Sequence, residues 1–418
     1  MGTIAEIETV CFVGAGTMGC VNALVAAVAG YDTVLYDLDA ATLDQVPARQ
    51  RQFADYMVAT GFCTEQDATA AFGRVRTTTD PRDAAERADL LSESVVERLD
   101  VKRRVHQQFD ELCPANTILT TNASSLLVSE IEDAVQRGDR FAALHSHLGS
   151  PLVDIVGGPR TTAETVELLR RYVLSLGAVP LVLKRENPGY VVNALLGPFL
   201  VEGVNLVVRG ASDVEGVDRA WMAHRDALMG PFALLDLFGL DMVLDNWEHP
   251  NRDDTPFRTA RRDEAIAPVK RLVDQGHFGM KTATGFYDYP DPAYQRAGFL
   301  DGADPTIHSH LVTAIAMRAA LLADDGVAEP HDIDRAWMTA TSLQIGPFGL
   351  IDEIGTEQFI ERTRQRVAAG LVEDGDARRA EAFVASRGDG FYTYPDPEYA
   401  RPEFLRPVDD RSEHSDSD

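Results

Sequence analysis

Residues 10–39 read "VCFVGAGTMGCVNALVAAVAGYDTVLYDLD", and the order of parts in this stretch decides the fold of the first half of the chain. An apolar strand-like run at 10–13 is followed by Gly14, Gly16 and Gly19 in G-x-G-x-x-G spacing. A helical stretch then runs to about Ala29, and a second strand, "TVLYD", ends in Asp37. Three glycines alone say little. Strand, glycine turn, helix, strand and terminal acid packed into about 30 residues predict a dinucleotide-binding βαβ unit. The glycines let the backbone close on a pyrophosphate resting at the helix N-terminus, so Gly14, Gly16, Thr17, Met18 and Gly19 are the expected cofactor-binding residues. An acid at Asp37 accepts the adenine-ribose hydroxyls and repels a 2′-phosphate, which favours NAD over NADP. The competing reading is a glycine turn in some other α/β protein.

Further along, polar helical text from Ala40 to about Gly73, interrupted at "ATGFCTEQ" (59–66), predicts a helical excursion after the second strand. Strand-like "GRVRTTTD" (73–80) and "ADLLSESVV" (88–96), helix-like "LDVKRRVHQQFDELC" (99–113) and strand-like "TILTTNASSL" (117–126) follow. The strand run "FAA" then leads into "LHSHLGSPLVDIV" (144–156). Strands alternating with helices predict a doubly wound, mainly parallel Rossmann sheet whose C-terminal strand ends form the ligand crevice. Three polar clusters fall at such ends: Glu93 to Glu97 with Lys102, Asn122 to Ser125, and His145 and His147 with Asp154. Alternate strand residues face one side, so the two histidines compete for the role of base. Asp154 is either the acid that orients a histidine or a solvent-facing strand residue, and Glu97 with Lys102 is otherwise an ordinary helix-face ion pair.

At 418 residues with a 45% hydrophobic fraction, the chain is long enough for two or three domains with real cores. The formal charge of −27, with four lysines (Lys102, Lys184, Lys270, Lys281) among 39 basic residues, argues against nucleic acid and anionic membranes. No apolar run approaches the roughly 20 residues that span a bilayer. The first residues lack the basic region of a secretory signal. Cys11, Cys20, Cys63 and Cys113 lie far apart with no CxxC pair, no His cluster shows metal-ligand spacing, and no metal site is expected; the cysteines read as reduced thiols in a cytoplasmic protein.

The second half repeats itself. "VDRAWM" (217–222) recurs as "IDRAWM" (333–338), and "GPFALLD" (230–236) as "GPFGLID" (346–352), both at an offset of 116. "GFYDYPDPAYQRAGFL" (285–300) returns as "GFYTYPDPEYARPEFL" (390–405) with 11 of 16 positions matched, so the second copy is 11 residues shorter. Helix-period apolar runs with Gly-Pro turns predict two all-α repeats. The expected domains are therefore 1–185, 186–300 and 301–405, with a charged, disordered tail at 406–418.

Five stretches, "VGAGTMG" (13–19), "VVERLDVK" (95–102), "TNASSL" (121–126), "RFAALH" (140–145) and "NPGYVVNALL" (187–196), together resemble the L-3-hydroxyacyl-CoA dehydrogenase family over residues 8 to about 300. The resemblance implies NAD-dependent oxidation of an (S)-3-hydroxyacyl thioester, or its reverse, with an acyl-CoA-type substrate and a place in fatty acid metabolism. It implies that Ser124 hydrogen-bonds the substrate oxygen, that His145, 21 residues on, is the catalytic base, and that Asn193 faces the substrate. Glu97, Lys102 and Asn122 match positions beside the cofactor, and Asp37 matches the ribose-binding acid. The family usually continues from the histidine as "HFFNPVxxMxLVE"; this chain has "HSHLGSPLVD", three residues shorter, with Asp154 in place of the Glu. Applying the offset of 116 to Asn193 lands on Ser309, so the second copy is expected to be a packing partner and not a second active site. Short members of the family dimerise through this helical domain, which implies here an intrachain pseudo-dimer and a monomer or weak homo-oligomer. Alternatives are a dehydrogenase of a free 3-hydroxy acid or of a carrier-protein thioester, and a non-catalytic NAD-binding protein. A 3-hydroxyisobutyrate-type enzyme is disfavoured, since it wants a lysine where Gly189 stands. Arg49 and Arg51 on the excursion are candidates for CoA phosphates.

Overall fold

The opening stretch folds as its pattern dictates. In the computed structural model, β1 (Thr9–Val13) leads through the glycine turn into α1 (Thr17–Ala29) and back into β2 (Asp32–Tyr36), which pairs parallel to β1. The structure describes residues 1–248, 262–388 and 390–406. Helix α1 is built largely from small apolar residues, and Ala23, Ala26 and Ala27 are buried, so it lies close on the sheet. Gly19 permits that approach, since a Cβ there would sit 1.8 Å from the Gly14 carbonyl oxygen. Gly14, at φ +101°, also has the Ser94 carbonyl too near for any side chain.

The excursion comprises α2 (Ala40–Asp44), α3 (Val46–Ala59) and α4 (Glu65–Phe72), the last opened by a Thr64–Asp67 capping box. Then come β3 (Val75–Thr78), α5 (Pro81–Ala85), β4 (Leu90–Glu93), α6 (Leu99–Leu112), β5 (Ile118–Thr121), α7 (Val128–Ile131) and β6 (Phe141–Ser146). β7 (Leu152–Gly157), α8 (Ala163–Ser175) and β8 (Val179–Val182) complete the first unit. The eight strands lie in the order β3-β2-β1-β4-β5-β6-β7-β8. All neighbours are parallel except β6 and β7, which are antiparallel. The cause is the connection, residues 147–151, which is far shorter than the dozen or so residues a parallel crossover needs.

The chain divides into two compact units, Met1–Tyr190 and Val191–Leu405. The first compact unit runs through the turn ahead of the helical half, where Gly189 N–H bonds the Ser124 carbonyl and ties that turn to the sheet. The two helical copies, expected as separate domains at 186–300 and 301–405, share the second compact unit. It contains α9 (Val192–Val208), α10 (Val214–Arg225), α11 (Pro231–Phe238), α12 (Leu240–Glu248), α13 (Arg262–Asp274), α14 (Pro305–Asp324), α15 (Pro330–Thr341), α16 (Pro347–Ile354), α17 (Thr356–Ala368) and α18 (Asp374–Ala385). The same carboxylate device recurs in it. Asp218 accepts from Phe232 N–H (2.8 Å), Ala233 N–H (2.9 Å) and the Tyr287 hydroxyl (3.0 Å). Asp334 accepts from Phe348 N–H (2.8 Å), Gly349 N–H (2.9 Å) and the Tyr392 hydroxyl (2.9 Å). Each caps the helix that follows it and pins the Gly-Phe-Tyr turn onto that cap. Helix α9 packs on α14, and between the copies the buried Glu202 accepts from Arg366 at 3.0 Å. α14 has the length and apolar composition of a membrane span, yet 72% of that window is buried in the fold, as in a core helix. The tail expected to be disordered lies, from residue 407, outside the described residues.

Candidate active site

The antiparallel turn of β7 sets His145 directly opposite Asp154 in register. His145 Nδ1 is 3.0 Å from Asp154 Oδ2, and His145 Nε2 is 3.2 Å from Ser124 Oγ, at the end of β5. Asp154 is wholly buried and His145 nearly so. A carboxylate only accepts, so the Nδ1 proton sits between the pair and Nε2 keeps its lone pair toward the serine hydroxyl. Burial holds His145 below its ordinary value of 6.5; the nearby His147 acts the same way and the bond to Asp154 opposes both. Burial alone would raise Asp154, but the two histidines outweigh it and keep its carboxyl below the usual range. His147 Nε2 reaches the same Oδ2 at 2.8 Å. It thus shares the acid, while the serine contact belongs to His145.

Several parts hold this line in place. Glu97 accepts from Ser124 N–H (2.8 Å), Ser125 N–H (2.7 Å) and the Ser125 hydroxyl (3.0 Å), so it fixes the serine loop. Asn122 accepts from Ser146 N–H at 2.8 Å and binds the ends of β5 and β6 together. Tyr190, with φ 51°, stacks on the His145 ring at 4.8 Å and donates its hydroxyl to the Ala123 carbonyl at 2.6 Å. The "NPGY" turn fixes the backbone that carries this ring: Asn187 Nδ2 donates to the Tyr190 carbonyl at 2.7 Å. Tyr190 carried no signal in the sequence, because a tyrosine in the left-handed region is visible only in the folded turn.

Beneath the serine loop, Glu93 is wholly buried and every oxygen is engaged. Oε1 accepts from Val95 N–H and Lys102 Nζ, both at 2.7 Å; Oε2 accepts from the Thr121 hydroxyl at 2.7 Å and lies 3.2 Å from His106 Nε2. Lys102 Nζ is also 3.4 Å from Glu97, so it is a buried strut and no helix-face pair. Glu93 was expected in one polar cluster with Lys102, and they do meet; His106 was missed as their partner. The available signal was the spacing of Lys102, His106 and Phe109 along α6, which is that of an inward helix stripe.

The cofactor turn fits a dinucleotide. Gly16 N-caps α1 with no side-chain cap, and a Cβ on Gly16 would meet nothing within 4 Å, so open space lies over the first-turn amides of Thr17 and Met18. Asp37 holds the turn through Ala15 N–H at 2.8 Å. Arg49 gives its guanidinium to the Ala15 carbonyl (2.9 Å) and Gln45 (2.7 Å), bracing the same turn; Arg51 is exposed. Between α1, α3, α8 and the 147–151 connection lies a mainly apolar cavity of about 560 Å³, lined by Val21, Val25, Phe53, Met57 and Leu148 and bordered by His147. Asn193 lies in the second unit, in the first turn of α9, half-buried; it is not among the residues that the first unit brings together.

A Ser–His–acid line also serves hydrolases. Here it stands at the strand ends of a sheet that opens with a dinucleotide turn, which defines an NAD-dependent oxidoreductase of Rossmann type. The chain belongs to the 3-hydroxyacyl-CoA dehydrogenase family. Its NAD binding domain matches residues 9–186, and its C-terminal domain matches twice, at 189–289 and 307–394. The chain is 32% identical over 294 residues to the mitochondrial hydroxyacyl-coenzyme A dehydrogenase of Sus scrofa, covering 68% of this chain and 91% of that protein. It is 32% identical over 282 residues to a 3-hydroxybutyryl-CoA dehydrogenase of Clostridioides difficile, covering 66% and 98%. In fold it is similar to the crystal structure of 3-hydroxybutyryl-CoA dehydrogenase from Escherichia coli K12, with a TM-score of 0.74 at 22% identity over 91% of this chain and 99% of that one.

Proposed function

We propose that the protein oxidises (S)-3-hydroxyacyl-CoA thioesters to 3-ketoacyl thioesters, or runs the reverse reduction, with His145 as the proton acceptor. The observation that carries this reading is the buried line from Ser124 Oγ through His145 to Asp154. Ser124 holds the substrate oxygen, His145 Nε2 takes the hydroxyl proton, and Asp154 stabilises the imidazolium that forms. Bound NAD would supply the acceptor for the hydride that leaves the same carbon. In this reading Gly14 to Gly19 and Asp37 bind the pyrophosphate and ribose, because each Asp37 oxygen keeps a lone pair beyond its backbone contact. Glu97, Lys102 and Asn122 shape the nicotinamide side by holding the serine loop. Asn193 is assigned to the substrate by the family resemblance alone. The cavity beside His147 supports a substrate with an apolar arm; its size suits a bound small molecule.

The test is NADH formation or consumption with acetoacetyl-CoA, longer 3-ketoacyl-CoAs, a carrier-protein thioester, and free 3-hydroxy acids. Turnover on CoA thioesters, faster with NAD than with NADP, is expected; activity confined to free acids overturns the substrate assignment. The second helical copy, in the same reading, stands where short relatives place a twin subunit. Light scattering should then report a monomer or weakly associating chain, and an obligate dimer refutes this role.

A further inference from the structure

We propose that His145, His147 and Asp154 form a binding site for a zinc-class divalent ion, and that occupancy of this site switches the active site off. The two histidines are alternate residues at the end of β6, and Asp154 faces them from β7. Their donor atoms lie within 4.8 Å of one another, and both imidazoles converge on one oxygen, Asp154 Oδ2, at 3.0 and 2.8 Å. The rings stand edge-on, 4.6 Å between centroids at 81°, so their nitrogens approach the acid from different directions. Asp154 is wholly buried, and its other oxygen, Oδ1, has no hydrogen-bond partner among the described residues. A buried carboxylate with one oxygen used twice and the other unused is built for more than holding a ring, since such an acceptor is costly to leave unpaired.

The donor set selects the ion. Two neutral imidazoles and one carboxylate suit zinc and its neighbours, whereas magnesium and calcium want oxygen alone. Three protein ligands leave a fourth position for water, the arrangement of an open zinc site. Coordination through His145 Nδ1 moves the ring proton to Nε2, with no net proton lost from the neutral imidazole. An Nε2–H toward Ser124 donates and cannot take a hydroxyl proton, so the loaded protein is blocked. This blocking step rests on the reading of His145 as proton acceptor; metal binding itself does not.

The experiment uses the full chain freed of metal by chelator. Titration with Co²⁺, an optical probe for zinc sites, should give saturable visible absorption at one ion per chain that Zn²⁺ displaces. His147→Gln and Asp154→Asn should each weaken binding by more than the about 10–100-fold typical of outer-sphere partners. In parallel, Zn²⁺ should stop turnover of the wild-type protein and EDTA should restore it. Absence of the wild-type Co²⁺ spectrum, or its survival in both variants, overturns the site. Zn²⁺ bound at one per chain with turnover intact overturns the block and the base assignment together, leaving the metal site standing.

Discussion

Replacing His145 with glutamine is expected to lower turnover by about 10²–10⁴-fold, the usual worth of a positioned acid–base group, while NAD binding is retained. The separation follows from geometry. His145 contacts Ser124, Asp154, Tyr190 and His147, and none of these belongs to the glycine turn that would bear the pyrophosphate. Asp154→Asn should fall in the same range, because an amide at that position no longer selects the Nδ1–H tautomer. Groups that act as one unit do not add, so the double variant should be scarcely slower than either single one. The pH profile supplies a second readout. Burial holds His145 below 6.5, so the neutral, proton-accepting form persists under mildly acidic conditions and oxidation should decline only below that value. Reduction needs the imidazolium and should weaken as pH rises through the same lowered pKa. Stopped-flow single-turnover rates in both directions check this. A fully active glutamine variant removes His145 from the chemistry, and an acid limb at or above 6.5 removes the lowering of its pKa by burial.

What could be read in advance, and what could not, divides along physical lines. The βαβ opening was legible because glycine spacing encodes a backbone requirement: Gly14 and Gly19 have no room for a Cβ. Asp37 was expected at the adenine ribose; its bond to Ala15 N–H in the glycine turn was not anticipated. Ser124 and His145 were found through spacing and resemblance, and the fold brings them within 3.2 Å. The antiparallel β6–β7 pair was not anticipated, although a connection as short as 147–151 already excluded a parallel crossover. That pairing also resolves the exchange of glutamate for aspartate. The shorter side chain reaches the imidazole because Asp154 sits directly across from it. Glu93 and Lys102 were grouped in advance, but their complete burial and the part of His106 stayed hidden for another reason: charged residues on a polar helix look solvated until the sheet is laid over them.

That network predicts the largest effect on stability. Lys102→Met leaves Glu93 wholly buried without its cation, and breaking a buried pair from one side costs about 3–5 kcal/mol. Replacing both, as Glu93→Leu with Lys102→Met, should cost less than the sum of the single changes, since no unpaired charge remains. The pH dependence distinguishes a lost ion pair from lost packing. Burial alone would raise Glu93, but Lys102 and His106 outweigh it and hold the carboxyl at about 2, against an ordinary 4.5. The folded value is thus the lower one. The pair's stabilisation is complete above about 4.5 and is lost as pH falls from there toward about 2, a difference of about 3 kcal/mol in all. In Lys102→Met the cation is gone and burial pushes the same carboxyl upward. The sign reverses, and acidification should then recover part of the lost stability by protonating Glu93. Urea unfolding at a series of pH values reads both slopes, and parallel curves for the two proteins would mean that Lys102 acts only by filling space. Because Glu97 leans on Lys102 at 3.4 Å and fixes the serine loop, the variant should also lose turnover at pH values where it remains folded.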